Sequence, residues 1–138
     1  MLPSLRTTDL QAALDTLGAI SESAANDREF ASHGVMGLRR LVAADLTTLS
    51  VCDLATGHRS VVSDVPGAIS RRQIEAFDQH FHTHPLVRAH GRNPAAVTHR
   101  ISDLLSPAEF RATPLYHDYY RAIRVEHAMA VPIHVHRH

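Results

Sequence analysis

Apolar positions recur along this chain with two periods, and the switches between them lay out an order of elements. Leu10, Leu14 and Leu17 fall on one face of a helix. Thr8-Asp9-Leu10-Gln11 carries the capping-box pattern that starts one, a hydroxyl for the free backbone N–H groups and a Gln three residues on to bond back. A second helix is predicted from Asn26 or Asp27, either of which can cap it, through Phe30, Leu38, Leu41 and Val42 to about Ala44. Gly34 and Gly37 weaken that helix by about 1 kcal/mol each, and close packing of the helix on a sheet is the expected compensation.

From Leu46 to Asp53 the period changes to two. Leu49 and Val51 take one face and Thr48, Ser50 and Cys52 the other, which predicts a half-buried strand. Ala55-Thr56-Gly57 supplies a turn, and His58 to Ser63 returns as the second strand of a hairpin. Ser70-Arg71-Arg72-Gln73 is another capping box. It is followed by Ile74, Phe77 and Phe81 at helical spacing, until Pro85 disfavours α geometry at His84. Gly91-Arg92-Asn93-Pro94 reads as a loop and Val97 to Ile101 as a short strand.

Ser106-Pro107-Ala108-Glu109 places Ser at N-cap, Pro at N1 and Glu at N3, and Thr113-Pro114 repeats the first two for a helix running to about Ile123. The segment from Ala128 to Val135 alternates, with Met129, Val131, Ile133 and Val135 facing one way and Ala130, Pro132 and His134 the other. Pro132 cannot donate to a ladder, so this strand is expected to be unpaired on one side there or to carry a bulge. A tight turn between adjacent strands means antiparallel pairing, and helices cluster between the strands. Together these predict an α+β fold, a sheet with helices on its faces.

At 138 residues the chain is expected to form one domain, spanning residues 1–138, with a core of its own. Its 44% hydrophobic and 20% charged residues are those of a soluble globular protein. The 14 basic residues balance 14 acidic ones, which argues against an autonomous nucleic-acid binder, since phosphate neutralisation wants a basic surface. Every basic residue is Arg and they are scattered, a trait of a GC-rich bacterial genome more than of a phosphate patch. Cys52 is the only cysteine, so no intramolecular disulfide can form and a reducing cytosol fits. Neither a signal-peptide core nor a bilayer-spanning stretch is present, so a cytoplasmic location without membrane attachment is expected.

Twelve histidines are many for this length. His80, His82 and His84 alternate, and on a strand all three would share a face, as metal binding needs. On the predicted helix His80 and His84 share a face while His82 points away, and a helix C-terminus mildly favours imidazolium there. The tail histidines, His134, His136 and His138, alternate on the polar face of the last strand and read as an exposed strand end, with adventitious metal binding as the alternative. The three tyrosines, Tyr116, Tyr119 and Tyr120, lie within five residues, with Leu115, Tyr119 and Ile123 forming one helical stripe. They read either as core with phenol groups reaching the surface or as a pocket wall of rigid aromatic faces with polar tips. Ser102-Asp103 has no Gly-X-Ser-X-Gly elbow around it and suits local backbone hydrogen bonding. Cys52 reads as a buried strand thiol. With no Gly-rich phosphate loop, no His-Glu-X-X-His and no Cys-X-X-Cys, neither catalysis nor a cofactor is expected. A small His-rich metal-binding protein or metal-dependent enzyme is the alternative.

One stretch carries a stronger pattern. It reads His84-Pro85, then Ile101-Ser102-Asp103-Leu104-Leu105, Thr113-Pro114-Leu115-Tyr116, Tyr119-Tyr120-Arg121 and Val125-Glu126-His127. In order and spacing it resembles the sensor half of LuxR-type transcriptional regulators, the GAF-like domain that precedes a DNA-binding helix-turn-helix. The resemblance is specific only from His84 to Pro132. It implies a GAF/PAS-like antiparallel sheet flanked by helices, and a cytoplasmic bacterial sensory domain that binds a small molecule or dimerises. His84, Tyr116, Tyr119, Tyr120 and His127 become the ligand-binding candidates. Two departures qualify it. Acyl-homoserine-lactone sensors of this type carry pocket tryptophans and this chain has no Trp, so such a lactone is disfavoured and the ligand is unknown. In the family the Val-X-His strand is followed by another strand, a long helix and the helix-turn-helix, whereas this sequence stops at His138. The expectation is therefore a sheet lacking its final strand and helix, with DNA contacted only through a helix-turn-helix not present here. Its uncovered edge is expected to pair with a second copy as a homodimer, or else to leave the domain marginal.

Overall fold

A computed structural model describes residues 4–23, 25–52, 59–92 and 97–133. The chain divides into two compact units, Met1–Ala68 and Ile69–His138. Each combines helices with one two-stranded antiparallel ladder, so the composition is α+β. The Cys52 side chain, the Ala55-Thr56-Gly57 turn, Asn93-Pro94 and the His134, His136 and His138 tail lie outside the described residues.

The first unit holds helices α1 (Thr7–Ser23) and α2 (Asp27–Leu41) and strands β1 (Thr48–Cys52) and β2 (Arg59–Ser63). Helix α1 starts ahead of the expected Thr8 cap. The Asp9 carboxylate reaches back to the Arg6 N–H at 3.2 Å, and Asp9 and Leu10 donate their own N–H groups to the Arg6 carbonyl. A carboxylate in the first turn also meets the positive end of the helix dipole, an advantage Gln11 lacks; Gln11 instead donates to Asp15 at 2.8 Å. At α2, Asn26 is the cap, accepting from the Glu29 N–H at 3.0 Å, and the Glu29 carboxylate accepts from the Ala25 N–H at 3.0 Å. The helix closes at Leu41, short of Ala44, because Val42 is already extended.

Burial in these helices departs from the apolar stripes. Leu10, Leu14 and Leu17 are exposed, at 50%, 62% and 62%. The half-buried positions of α1 are Asp9, Ala13, Thr16 and Ile20. Helix α2 buries Ala31 and Val35 while Phe30, Leu38 and Leu41 stay exposed. The seam between the helices explains the choice. A Cβ at Gly37 would stand 2.8 Å from Thr16 Cγ2 and 3.3 Å from Ile20 Cδ1. Small residues thus let α1 approach α2, and the compensation for Gly37 is helix on helix, where helix on sheet was expected. Gly34 has nothing within 4 Å of the same position. Gly34→Ala is therefore expected to stabilise by about 0.5–1 kcal/mol through helix propensity, whereas Gly37→Leu is expected to cost about 1–3 kcal/mol through overpacking. Urea denaturation of the two variants checks the opposite signs.

Strands β1 and β2 pair with Leu49 opposite Val62 and Val51 opposite Ser60. Leu49 is half-buried and Thr48 and Ser50 are exposed, as the alternation predicts, but Val51 is exposed as well. Asp64 closes the open end of the hairpin. Its Oδ1 accepts from the Thr47 N–H at 2.8 Å and its own N–H donates to the Thr47 carbonyl at 3.0 Å. Its Oδ2 stands 2.9 Å from Arg39 Nη1 of α2, and the Asp64 side chain has no exposed surface.

The second unit holds α3 (Arg71–Gln79), a 3-10 turn (Phe81–Thr83), α4 (Pro85–Arg92), β3 (His99–Arg100), a 3-10 turn (Ile101–Asp103), α5 (Pro107–Arg111), a π-helical turn (Tyr116–Tyr120) and β4 (Met129–Ala130). Both expected capping boxes form. Ser70 and Gln73 exchange side-chain-to-backbone bonds at 3.3 and 2.7 Å, and Ser106 and Glu109 do so at 3.3 and 2.8 Å. Pro85 keeps His84 extended, as expected, and also opens α4 from its first position. That helix takes in Gly91 and Arg92, where a loop was expected, and buried Leu86 anchors it.

The expected strands over Val97–Ile101 and Ala128–Val135 shorten to two residues each, with His99 opposite Ala130 and Arg100 opposite Met129. Pairing stops before Pro132, which has no N–H to give. The alternation persists up to Ile133, with Ala128, Ala130 and Pro132 half-buried and Met129, Val131 and Ile133 exposed.

Candidate functional site

The core of the second unit is Leu86, Ile101, Phe110, Leu115, Tyr119 and Tyr120, with Phe77 and Tyr116 packed against it. The tyrosine segment starts at Thr113, whose hydroxyl oxygen accepts from the Tyr116 N–H at 3.1 Å. One turn on, the Arg121 N–H bonds the Tyr116 carbonyl at 2.8 Å, five residues back, and this widens the helix by one residue. The wider turn lets the neighbours Tyr119 and Tyr120 both point inward, where an α-helix would set them about 100° apart. Val125 N–H to the Tyr120 carbonyl and Arg124 N–H to the Arg121 carbonyl then close the helix as a Schellman motif, with Arg124 in the left-handed region at φ 58°.

His84 is the most deeply buried large side chain among the described residues. Its Nδ1 accepts from the Leu86 N–H at 3.1 Å, so that nitrogen carries a lone pair. The ring is then the neutral tautomer with the proton on Nε2, which donates to Tyr120 Oη at 2.8 Å. Phe77 packs 5.0 Å from the His84 ring and 5.1 Å from Tyr119, centroid to centroid.

Of the five sequence candidates, the structure brings His84, Tyr119 and Tyr120 together inside the core. Tyr116 sits half-buried at its margin, edge-on to Phe110 at 5.3 Å. His127 is exposed and stands outside this cluster. The histidine triplet diverges, because α3 ends at Gln79 and a 3-10 turn follows. His80 Nε2 lies 2.7 Å from Asp118 Oδ2, His82 is exposed, and His84 turns inward. Among the described residues no three His, Cys, Asp or Glu side chains gather as a metal site would need.

An open polar groove of about 690 Å³ runs between α3 and the π-helical turn. Ser70 at the cap of α3 with Arg72, Gln73, Glu75, Ala76 and Gln79 forms one wall, and His117, Asp118 and Ala122 the other. None of the five sequence candidates lines it. The α3 half was visible in the sequence as polar residues at i, i+3 and i+7, Arg72, Glu75 and Gln79. The other half was not, because it depends on the π-helical register.

Two carboxylates beside this core are held below the usual range. Asp103 is lowered chiefly by the Arg100 guanidinium, with Nη2 to Oδ1 at 2.6 Å, and next by the Arg100 N–H. Glu109 is lowered by hydrogen bonding to the Ser106 side chain and then to its N–H. Asp103 thus does the local backbone bonding expected of Ser102-Asp103. With folded values below unfolded ones near 4, the unfolded chain binds more protons in that interval. The stabilisation is complete above about pH 4 and is lost as pH falls through the lowered values. Urea midpoints measured across acid pH are expected to fall less steeply in Asp103→Asn than in the parent.

Compared with known proteins, the chain matches no family model, no curated protein and no solved structure.

Proposed function

We propose that this chain acts as the regulatory, sensory domain of a LuxR-type transcriptional regulator, with a GAF-like arrangement, binding a small molecule or dimerising and performing no catalysis of its own. The observation that carries this reading is the His84–Tyr120 hydrogen bond. It joins the His-Pro at one end of the family-like pattern to the tyrosine segment near the other, inside one aromatic core. The residues of that pattern serve to build a scaffold, with the polar groove on its surface free to receive a solute.

A thermal-shift screen against a metabolite library tests the reading, since a ligand that binds only the folded state must raise its stability, by about 2.7 kcal/mol at a hundred times Kd. The expected result is a saturable rise with at least one metabolite, or a dimer by light scattering. A well-folded monomer that answers to no metabolite would count against both forms of the proposal.

A further inference from the structure

We propose that the groove between α3 and the Tyr116–Tyr120 turn is a receptor site for a small zwitterion of the α-amino acid class. This rests on the sensory reading above and names the ligand chemistry for it. The lining carries both signs of charge, Arg72 positive and Glu75 and Asp118 negative, together with the polar side chains of Ser70, Gln73, Gln79 and His117.

Much of this polar capacity is uncommitted. The Arg72 guanidinium forms no ion pair among the described residues, since it is Arg71 that bridges to Glu75. Glu75 uses Oε1 for that bridge and Asp118 uses Oδ2 for His80, leaving Oε2 and Oδ1 to accept. Ala76 and Ala122 add two small apolar side chains to the lining.

A phosphate or dicarboxylate entering here would meet Glu75 and Asp118, and a simple amine would meet Arg72. A solute with a carboxylate for Arg72 and an ammonium for the two carboxylates satisfies both, through charge-assisted bonds. His80 acts through Asp118 as a positioning residue, fixing the carboxylate that faces the groove.

The twenty common L-amino acids, each at millimolar concentration, are the probes, read by thermal shift and then calorimetry on the whole chain. At least one is expected to bind saturably. Its decarboxylated amine and its deaminated acid should each bind at least about tenfold more weakly. Arg72→Ala and Glu75→Gln, both at exposed positions, should lose at least about tenfold in affinity while the free variants melt where the parent does. No binding by any amino acid, or binding equally strong in both variants, would overturn the proposal. A purely anionic, cationic or apolar metabolite that binds instead would overturn the zwitterion and leave the sensory reading standing.

Discussion

His84→Ala is expected to destabilise the Ile69–His138 unit by about 3 kcal/mol, combining the cavity left by a buried ring with two lost hydrogen bonds. That is a large part of the stability of an ordinary domain, about 5–15 kcal/mol. The change removes the acceptor of the Leu86 N–H at the start of α4 and the donor to the Tyr120 hydroxyl in the core. It also removes the ring against which Phe77 packs. Tyr120→Phe keeps the aromatic packing and removes only the His84–Tyr120 hydrogen bond, so its cost should be smaller, about 1–2 kcal/mol. In a double-mutant cycle the pair should couple by about 0.5–3 kcal/mol, as groups in direct contact do. Urea denaturation supplies all of these quantities. A His84→Ala protein within about 0.5 kcal/mol of the parent, the range of ordinary surface changes, would show that the ring is not what holds the tyrosine segment to α4.

The second large effect belongs to the other unit. Asp64→Ala is expected to cost about 2–4 kcal/mol, because it leaves the Thr47 N–H without its acceptor and Arg39 without its carboxylate. The figure sits at or below the usual loss for breaking a buried pair, since the Arg39 side chain is 44% exposed and water takes over part of its solvation. Asp64→Asn keeps an acceptor for Thr47 and gives up the ion pair alone, so it should fall between Asp64→Ala and the parent. Hydrogen exchange separates the two experiments. Protection should drop first around Thr47 and the β1–β2 hairpin for Asp64→Ala, and around Tyr116 to Val125 for His84→Ala. The opposite pattern would mean that neither contact has the local role assigned to it.

Much of the second unit was legible from the sequence because its signals act within four residues. Ser70 with Gln73, Ser106 with Glu109, and Thr113 ahead of Pro114 close hydrogen bonds over three positions. No distant partner can redirect them. Pro85 is a partial case. Its effect on His84 was readable, but its second role, as the first residue of α4, depended on Leu86 finding a place in the core. The site was less legible than the elements. His84, Tyr119 and Tyr120 were singled out and do converge, while His117 and Asp118 of the groove were not, since they owe their position to a π-helical turn that periodicity does not announce.

The sequence by itself determined where α2, α3 and α5 begin, where prolines stop ladders and helices, and that helices and antiparallel strands are mixed. These depend on backbone groups being satisfied locally, and the residues that do it are adjacent in the chain. Only the tertiary structure decided which faces are buried and which polar groups meet. The Leu10, Leu14 and Leu17 stripe obeys the helical period and still faces outward, because α1 meets α2 where Gly37 allows the closest approach. Asp64 meets Thr47 across 17 residues and His84 meets Tyr120 across 36. A periodic pattern states that a face can be buried. What lies opposite it, and whether a donor there has an acceptor, is set by packing between elements far apart in the chain.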